Sequence, residues 1–164
     1  MGHVTRRRSA HHTIPARDFD IIADGNLPLI PAGVYDAVGG RAQHPRVIFN
    51  TLKLYVPFVV LVPNHEAPSG FDRVRLYRHY NVHTAPDRRF RVRSTSAYWR
   101  EWVLATARRP GRHDRLSPHV FDGVLFAIEV RTVNRDREQH DLPQQGRYSV
   151  VGRIIERKAG GPQL

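Results

Sequence analysis

Two groups of side chains in this sequence have the types and the spacing to hold a polyanion that carries flat rings. Arg73, Arg75, Tyr77 and His79 take alternate positions of one extended run, and Lys53 and Tyr55 take alternate positions of another. Guanidinium forks onto phosphate and lies flat on a base. A tyrosine ring gives an unpaired base a stacking surface worth roughly 1–3 kcal/mol. Arg41, Arg88, Arg89, Arg131 and Arg153 extend the basic set. Arg91 and Arg93 frame the same loop as Arg88 and Arg89. The chemistry expected of these residues is non-covalent and tolerant of base sequence. The same pattern also suits a solvated sheet face or a protein-docking face.

Covalent and metal chemistry find little support. With no cysteine, disulfides and Cys-type zinc sites are excluded. His79 and His83 are four apart but on a strand and its exit, with no HExxH and no carboxylate cluster beside them. Asp20, Asp24 and Asp36 are scattered, which argues against a paired-carboxylate nuclease. Ser117 and Ser149 lie in no G-x-S-x-G elbow. Gly39-Gly40 alone makes no phosphate loop. The expectation is a non-enzyme with no cofactor and no metal. Trp99 and Trp102 fall on the apolar stripe of a helix and are expected in the core.

Composition agrees with a polyanionic partner. The 164 residues carry 26 basic and 15 acidic side chains, a net charge of +11. Only Lys53 and Lys158 are lysine, so 24 of the basic residues are arginine. A GC-rich genome would explain part of that bias. No apolar run approaches the ~18 residues of a membrane helix, and no apolar stretch follows Arg6-Arg7-Arg8. These features favour a cytoplasmic protein without membrane attachment.

The elements that must position these residues follow from periodicity. Residues 1–17 read as a disordered basic tail, 18–157 as one domain and 158–164 as a Gly- and Pro-rich tail. Phe19–Ala23 suggests a short strand, and Pro28 and Pro31 an extended connector. Gly33–Arg41 suggests a first core strand whose inward set is either Val34 and Val38 or Tyr35 and Ala37. A bend or bulge is expected at Gly39-Gly40. His44-Pro45 turns the chain into Val47-Ile48-Phe49. Leu52, Leu54, Val56, Phe58, Val60 and Val62 then alternate with Lys53, Tyr55 and Pro57, predicting a long strand with one buried face. Pro68-Ser69-Gly70 turns it back. The return strand, Arg73–Tyr80, turns Val74, Leu76, Arg78 and Tyr80 to the core side.

Ser94-Thr95-Ser96 offers caps for a helix from Ala97 to about Arg108, with Arg108-Arg109 in its last turn. Ser117–Gly123 suggests a brief helical turn. Val124–Val133 alternates, with Val124, Phe126, Ile128 and Val130 inward. Arg147–Arg157 is the closing strand, with Tyr148, Val150, Gly152 and Ile154 opposite Val151, Arg153 and Ile155.

Three strands, a helix and two strands is the order of a mainly β, five-stranded OB-like Greek-key barrel with one helix between strands 3 and 4. In that fold strands 2 and 3 bind oligonucleotides, and here they are the hairpin carrying Lys53 to His79. The sequence also resembles small OB-fold-like proteins of phages and other mobile elements. The likeness spans roughly residues 33–157, through Val47–Leu54, Leu76–Val82, Tyr98–Trp102, Leu116–Val133 and Tyr148–Ile155. Its motifs are Phe121-Asp122-Gly123 before Leu125–Val130, and the closing run Tyr148–Ile154. The resemblance implies handling of single-stranded nucleic acid in replication, recombination or transposition. The expected partner is therefore single-stranded nucleic acid, DNA ahead of RNA. Competing readings are an adaptor subunit that binds protein in a larger nucleoprotein assembly, and an RNA-binding module. Unpaired strand edges make a homo-oligomer compatible with the pattern.

Overall fold

Strand Thr51–Pro63 (β3) is the spine of the molecule, because both of its edges are used. The computed structural model describes residues 27–112 and 114–158. The basic tail, the strand expected at Phe19–Ala23 and residues 159–164 lie outside this range. Phe71–Asn81 (β4) pairs antiparallel along one edge of β3, from Pro63↔Phe71 to Lys53↔Asn81. The other edge is shared by two short strands. Gly33–Gly39 (β1) pairs with its second half, Asp36↔Leu61 through Gly39↔Phe58. Gln43–Ile48 (β2) pairs with its first half, Gln43↔Tyr55 through Ile48↔Thr51.

The step from β1 to β2 is the bend expected at Gly39-Gly40, and its cause is steric. Gly39 donates to the Val124 carbonyl and accepts from Gly123 N–H, both at 2.9 Å. A Cβ on Gly39 would lie 2.1 Å from the Phe121 carbonyl oxygen, so no other residue fits. Pro57 sits opposite this step. Its carbonyl accepts from Gly40 N–H at 2.8 Å. The N–H that proline lacks thus falls where the ladder is already interrupted.

A two-residue hairpin, His83–Thr84 (β5) with Phe90–Arg91 (β6), follows β4. Helix α1, Ala97–Thr106, begins where Ser96 accepts a hydrogen bond from Trp99 N–H. It ends short of the expected Arg108, at Ala107 in the left-handed region, so Arg108 and Arg109 lie beyond its last turn. A 3₁₀ turn at Pro118–Phe121 leads to Leu125–Val133 (β7), which pairs with β1 and with Tyr148–Arg157 (β8). The extended connector holds to β8 through Ser149, whose hydroxyl accepts from Ile30 N–H at 2.9 Å and donates to the Ile30 carbonyl at 3.0 Å.

The result, among the described residues, is a mainly β, antiparallel sheet in the order β4-β3-β1-β7-β8, with β2 continuing β1 along β3, and one α-helix. The two outer strands, β4 and β8, come within 8 Å of each other between Cα atoms. No ladder joins them among the described residues, so the sheet is not closed by hydrogen bonds into a barrel. Helix α1 is instead bonded to both edges. Glu101 takes hydrogen bonds from Arg78 and Tyr80 of β4, and the Ala105 carbonyl takes one from Arg157 of β8 at 2.9 Å.

Inside lie Leu54, Val56, Phe58 and Val60 of β3, Leu76 and Tyr80 of β4, and Phe126, Ile128 and Val130 of β7. Tyr98, Trp102 and Ala105 of α1 close over them with Phe121. Each large apolar side chain removed from water in this way contributes roughly 1.5–3 kcal/mol. Ala37 enters the core cluster from β1 with Tyr35 packed against it; of the other pair Val34 is exposed, whereas Val38 is buried outside that cluster. The simple alternation expected of β8 fails. Its register with β7 shifts at two places, one of them beside Gly152, so that Val151 and Ile154 both reach the core.

Candidate nucleic-acid interface

Register decides which face each hairpin residue takes. Tyr55↔His79, Pro57↔Tyr77, Val59↔Arg75 and Leu61↔Arg73 are direct cross-strand pairs. Their neighbours Leu54, Val56, Phe58, Val60, Leu76 and Tyr80 are buried. Lys53, Tyr55, Arg73, Arg75, Tyr77 and His79 therefore share the outer face of β3 and β4. Arg73 and Arg75 are exposed, and the other four are half-buried.

The three rings hold one another edge-on. Tyr55 lies 4.6 Å from His79 and 6.3 Å from Tyr77 between ring centroids, at 70° and 75°. The Arg46 guanidinium of β2 lies 4.8 Å from the Tyr55 centroid, a cation–π contact that brings a further charge to this face. Burial first, then the positive charges of Lys53, Arg78 and Arg131, push the His79 pKa down to about 4. His79 is thus neutral at pH 7 and supplies a ring rather than a charge.

The same field ties Arg131 to the hairpin face. Arg131 stands exposed on β7, and Gly152 of β8 leaves it room: a Cβ at Gly152 would meet its Cδ at 3.4 Å. Among the described residues Arg46, Lys53, Arg73, Arg75 and Arg131 form no ion pair, so their charge is uncompensated.

The remaining basic residues separate from this face. Arg153 donates to the Glu129 carboxylate directly across the β7–β8 ladder, which neutralises it. Arg88 sits in the turn between β5 and β6 with φ 61°. Arg41 and Arg89 line a cleft at the β1–β2 junction, together with Arg91 and Arg115.

Sequence reasoning missed three residues at one end of the outer face: Arg46, Phe49 and Arg137. Phe49 and Asn50 form the β2–β3 turn, with φ of 49° and 60°. This is the left-handed pair that a tight hairpin requires, made here without glycine. Phe49 is exposed, and the Arg137 guanidinium from the β7–β8 loop lies 5.1 Å from its ring centroid. The loop after β2 and the loop before β8 thus meet at the Thr51 end of β3. An Asn after an aromatic was the only local hint of the turn.

No group of three or more His, Asp or Glu side chains is placed to hold a metal ion among the described residues. No helix among the described residues is long and apolar enough to cross a membrane. No family model, curated protein or solved structure matches this chain.

Proposed function

We propose that this protein binds single-stranded nucleic acid, with little sequence preference, across the outer face of β3 and β4. The observation that carries the reading is the placement of Tyr55, Tyr77 and His79 among five cations that have no acidic partner among the described residues, on one sheet face. Charge without rings would suit any polyanion, and rings without charge would suit a protein. Together they suit an unpaired strand, whose bases are free to stack while its phosphates are neutralised.

The strand order supports an OB-like reading of the fold. With β1 and β2 taken as one bent strand, the order is third, second, first, fourth, fifth, and the helix lies between the third and fourth. In such folds the face of strands 2 and 3 and the loops flanking it take oligonucleotides, and here those loops carry Phe49 and Arg137. DNA is placed ahead of RNA, and a role in phage or mobile-element replication or recombination is proposed, on the resemblance alone. The cytoplasm is the proposed compartment. An adaptor role is the second reading, favoured by the exposed apolar side chains Val34 and Val47 on β1 and β2.

A fluorescence titration with single-stranded DNA, duplex DNA and RNA over a salt series separates the two. If the five cations engage phosphates, log K against log salt should fall with a slope of about −3 to −4, and the single strand should bind more tightly than the duplex. Binding indifferent to salt, or no binding to any nucleic acid at physiological salt, favours the adaptor.

A further inference from the structure

A second basic and aromatic region lies away from the hairpin face. It is a cleft of about 990 Å³ between the β1–β2 junction, the β5–β6 hairpin and the segment that enters the 3₁₀ turn. That volume lies near the top of the range usual for small-ligand clefts, roughly 300–1,000 Å³. Leu54 and Tyr98 line its apolar depth, and the Tyr98 hydroxyl is already committed to the Leu116 carbonyl at 2.7 Å. On the rim Phe90 is 44% exposed and meets His44 edge-to-face, with ring centroids 5.2 Å apart.

The charges of this cleft are unevenly committed. Asp114 is the one carboxylate among its lining residues, and it is held by Arg112 through two hydrogen bonds of 3.0 and 2.9 Å. Arg91 is held by Asp87 at 3.1 Å. Arg41 and Arg115 have no ion pair among the described residues. The cleft therefore offers an aromatic edge, an apolar floor and two guanidiniums in no ion pair among the described residues, Arg115 lying within the field of Asp114. A base carrying a terminal phosphate matches all three: the ring packs by Phe90, and the phosphate dianion takes the guanidiniums.

We infer that this cleft is a separate site for a nucleotide bearing a terminal phosphate, supplied either by the end of a strand or by a free nucleoside monophosphate. The strand-end form rests on the function proposed above, and the free-nucleotide form does not.

The test uses the full chain and labelled oligonucleotides with and without a terminal phosphate at either end, alongside an unlabelled nucleoside monophosphate. A terminal phosphate should tighten oligonucleotide binding about tenfold, the size of one strong charge-assisted contact. The variant Arg41→Ala with Arg115→Ala should erase that ratio while leaving most of the affinity for the unphosphorylated strand. Tyr55→Ala with Tyr77→Ala should lower both affinities and keep the ratio. Saturable binding of the monophosphate that depends on Arg41 and Arg115, with no phosphate effect on the oligonucleotide, assigns the site to a free nucleotide. That binding in a protein with no affinity for oligonucleotides keeps the cleft and removes the hairpin function. No phosphate effect together with no monophosphate binding overturns the inference. So does binding of an acidic peptide through Arg41 and Arg115 without any nucleotide binding.

Discussion

Replacing Glu101 with Ala is expected to destabilise the protein by about 3–5 kcal/mol, the usual cost of removing one partner of a buried ion pair. The Glu101 side chain is 4% exposed and that of Arg78 12%. Glu101 accepts from Arg78 Nε at 3.0 Å, from Arg78 Nη2 at 2.8 Å and from the Tyr80 hydroxyl at 2.5 Å. Burial by itself disfavours the Arg78 cation, and the hydrogen bonds and charge of Glu101 more than offset it. Burial, reinforced by the Glu101 charge, pushes the Tyr80 hydroxyl well above its ordinary pKa, so it stays protonated and donates.

Without the carboxylate, Arg78 is left as a buried charge and Tyr80 as an unpaired donor. The combined variant Glu101→Leu, Arg78→Met and Tyr80→Phe removes both charges and the orphaned donor and should recover most of the loss, because well-packed apolar replacements of buried ion pairs are often close to neutral. Denaturant midpoints of the two variants and the parent check both statements. A Glu101→Ala variant within about 1 kcal/mol of the parent would mean that water reaches the pair. The consequence for the surface is direct. Arg78 lies between Tyr77 and His79 on β4, so the network that fixes the strand from inside also fixes the rings outside.

Removing the two rings is the second large effect expected. Tyr55→Ala with Tyr77→Ala should weaken binding of single-stranded oligonucleotides at least about 30-fold, at roughly 1–3 kcal/mol for each stacked base. Both rings are half-buried on the outer face, and their packing partners are each other, His79 and Arg46. Their loss should cost the fold no more than about 1–3 kcal/mol, which circular dichroism and a melting curve would register. Tyr55→Phe with Tyr77→Phe should keep most of the affinity, since stacking uses the ring and not the hydroxyl. An Ala variant that is folded and binds within twofold of the parent would remove these rings from the interface.

The hairpin that holds these residues was legible in the sequence because its alternation is unbroken from Leu52 to Val62 and is answered from Arg73 to Tyr80. A period of two assigns faces without knowledge of partners, so Lys53, Tyr55, Arg73, Arg75, Tyr77 and His79 were found together. The same holds for Phe126, Ile128 and Val130 on β7, and for the Ser96 cap of α1.

What depended on distant partners was not legible. Glu101 reads as a surface residue of a helix until Arg78, 23 positions away, is placed beside it. The β2–β3 turn lacks glycine, so β2 passed for a lead-in to β3, and Arg46 went unnoticed. The two register shifts of β8 hide that Arg153 faces Glu129, which cancels a charge counted toward the interface. Arg41 was expected to extend the track of the hairpin. Its position depends on the direction in which the chain bends at Gly39-Gly40, and the bend carries it instead to the cleft that Arg89 of the β5–β6 loop also lines.

The central claim is that an unpaired strand lies on the outer face of β3 and β4. Mapping amide and aromatic NMR shifts during titration with a short single-stranded DNA tests it directly. The largest changes should fall on Lys53, Tyr55, Arg75, Tyr77 and His79, with Arg46, Phe49 and Arg131 at the margins. Saturable binding whose shifts leave these residues unmoved and gather on another face, or no binding at physiological salt, would contradict it.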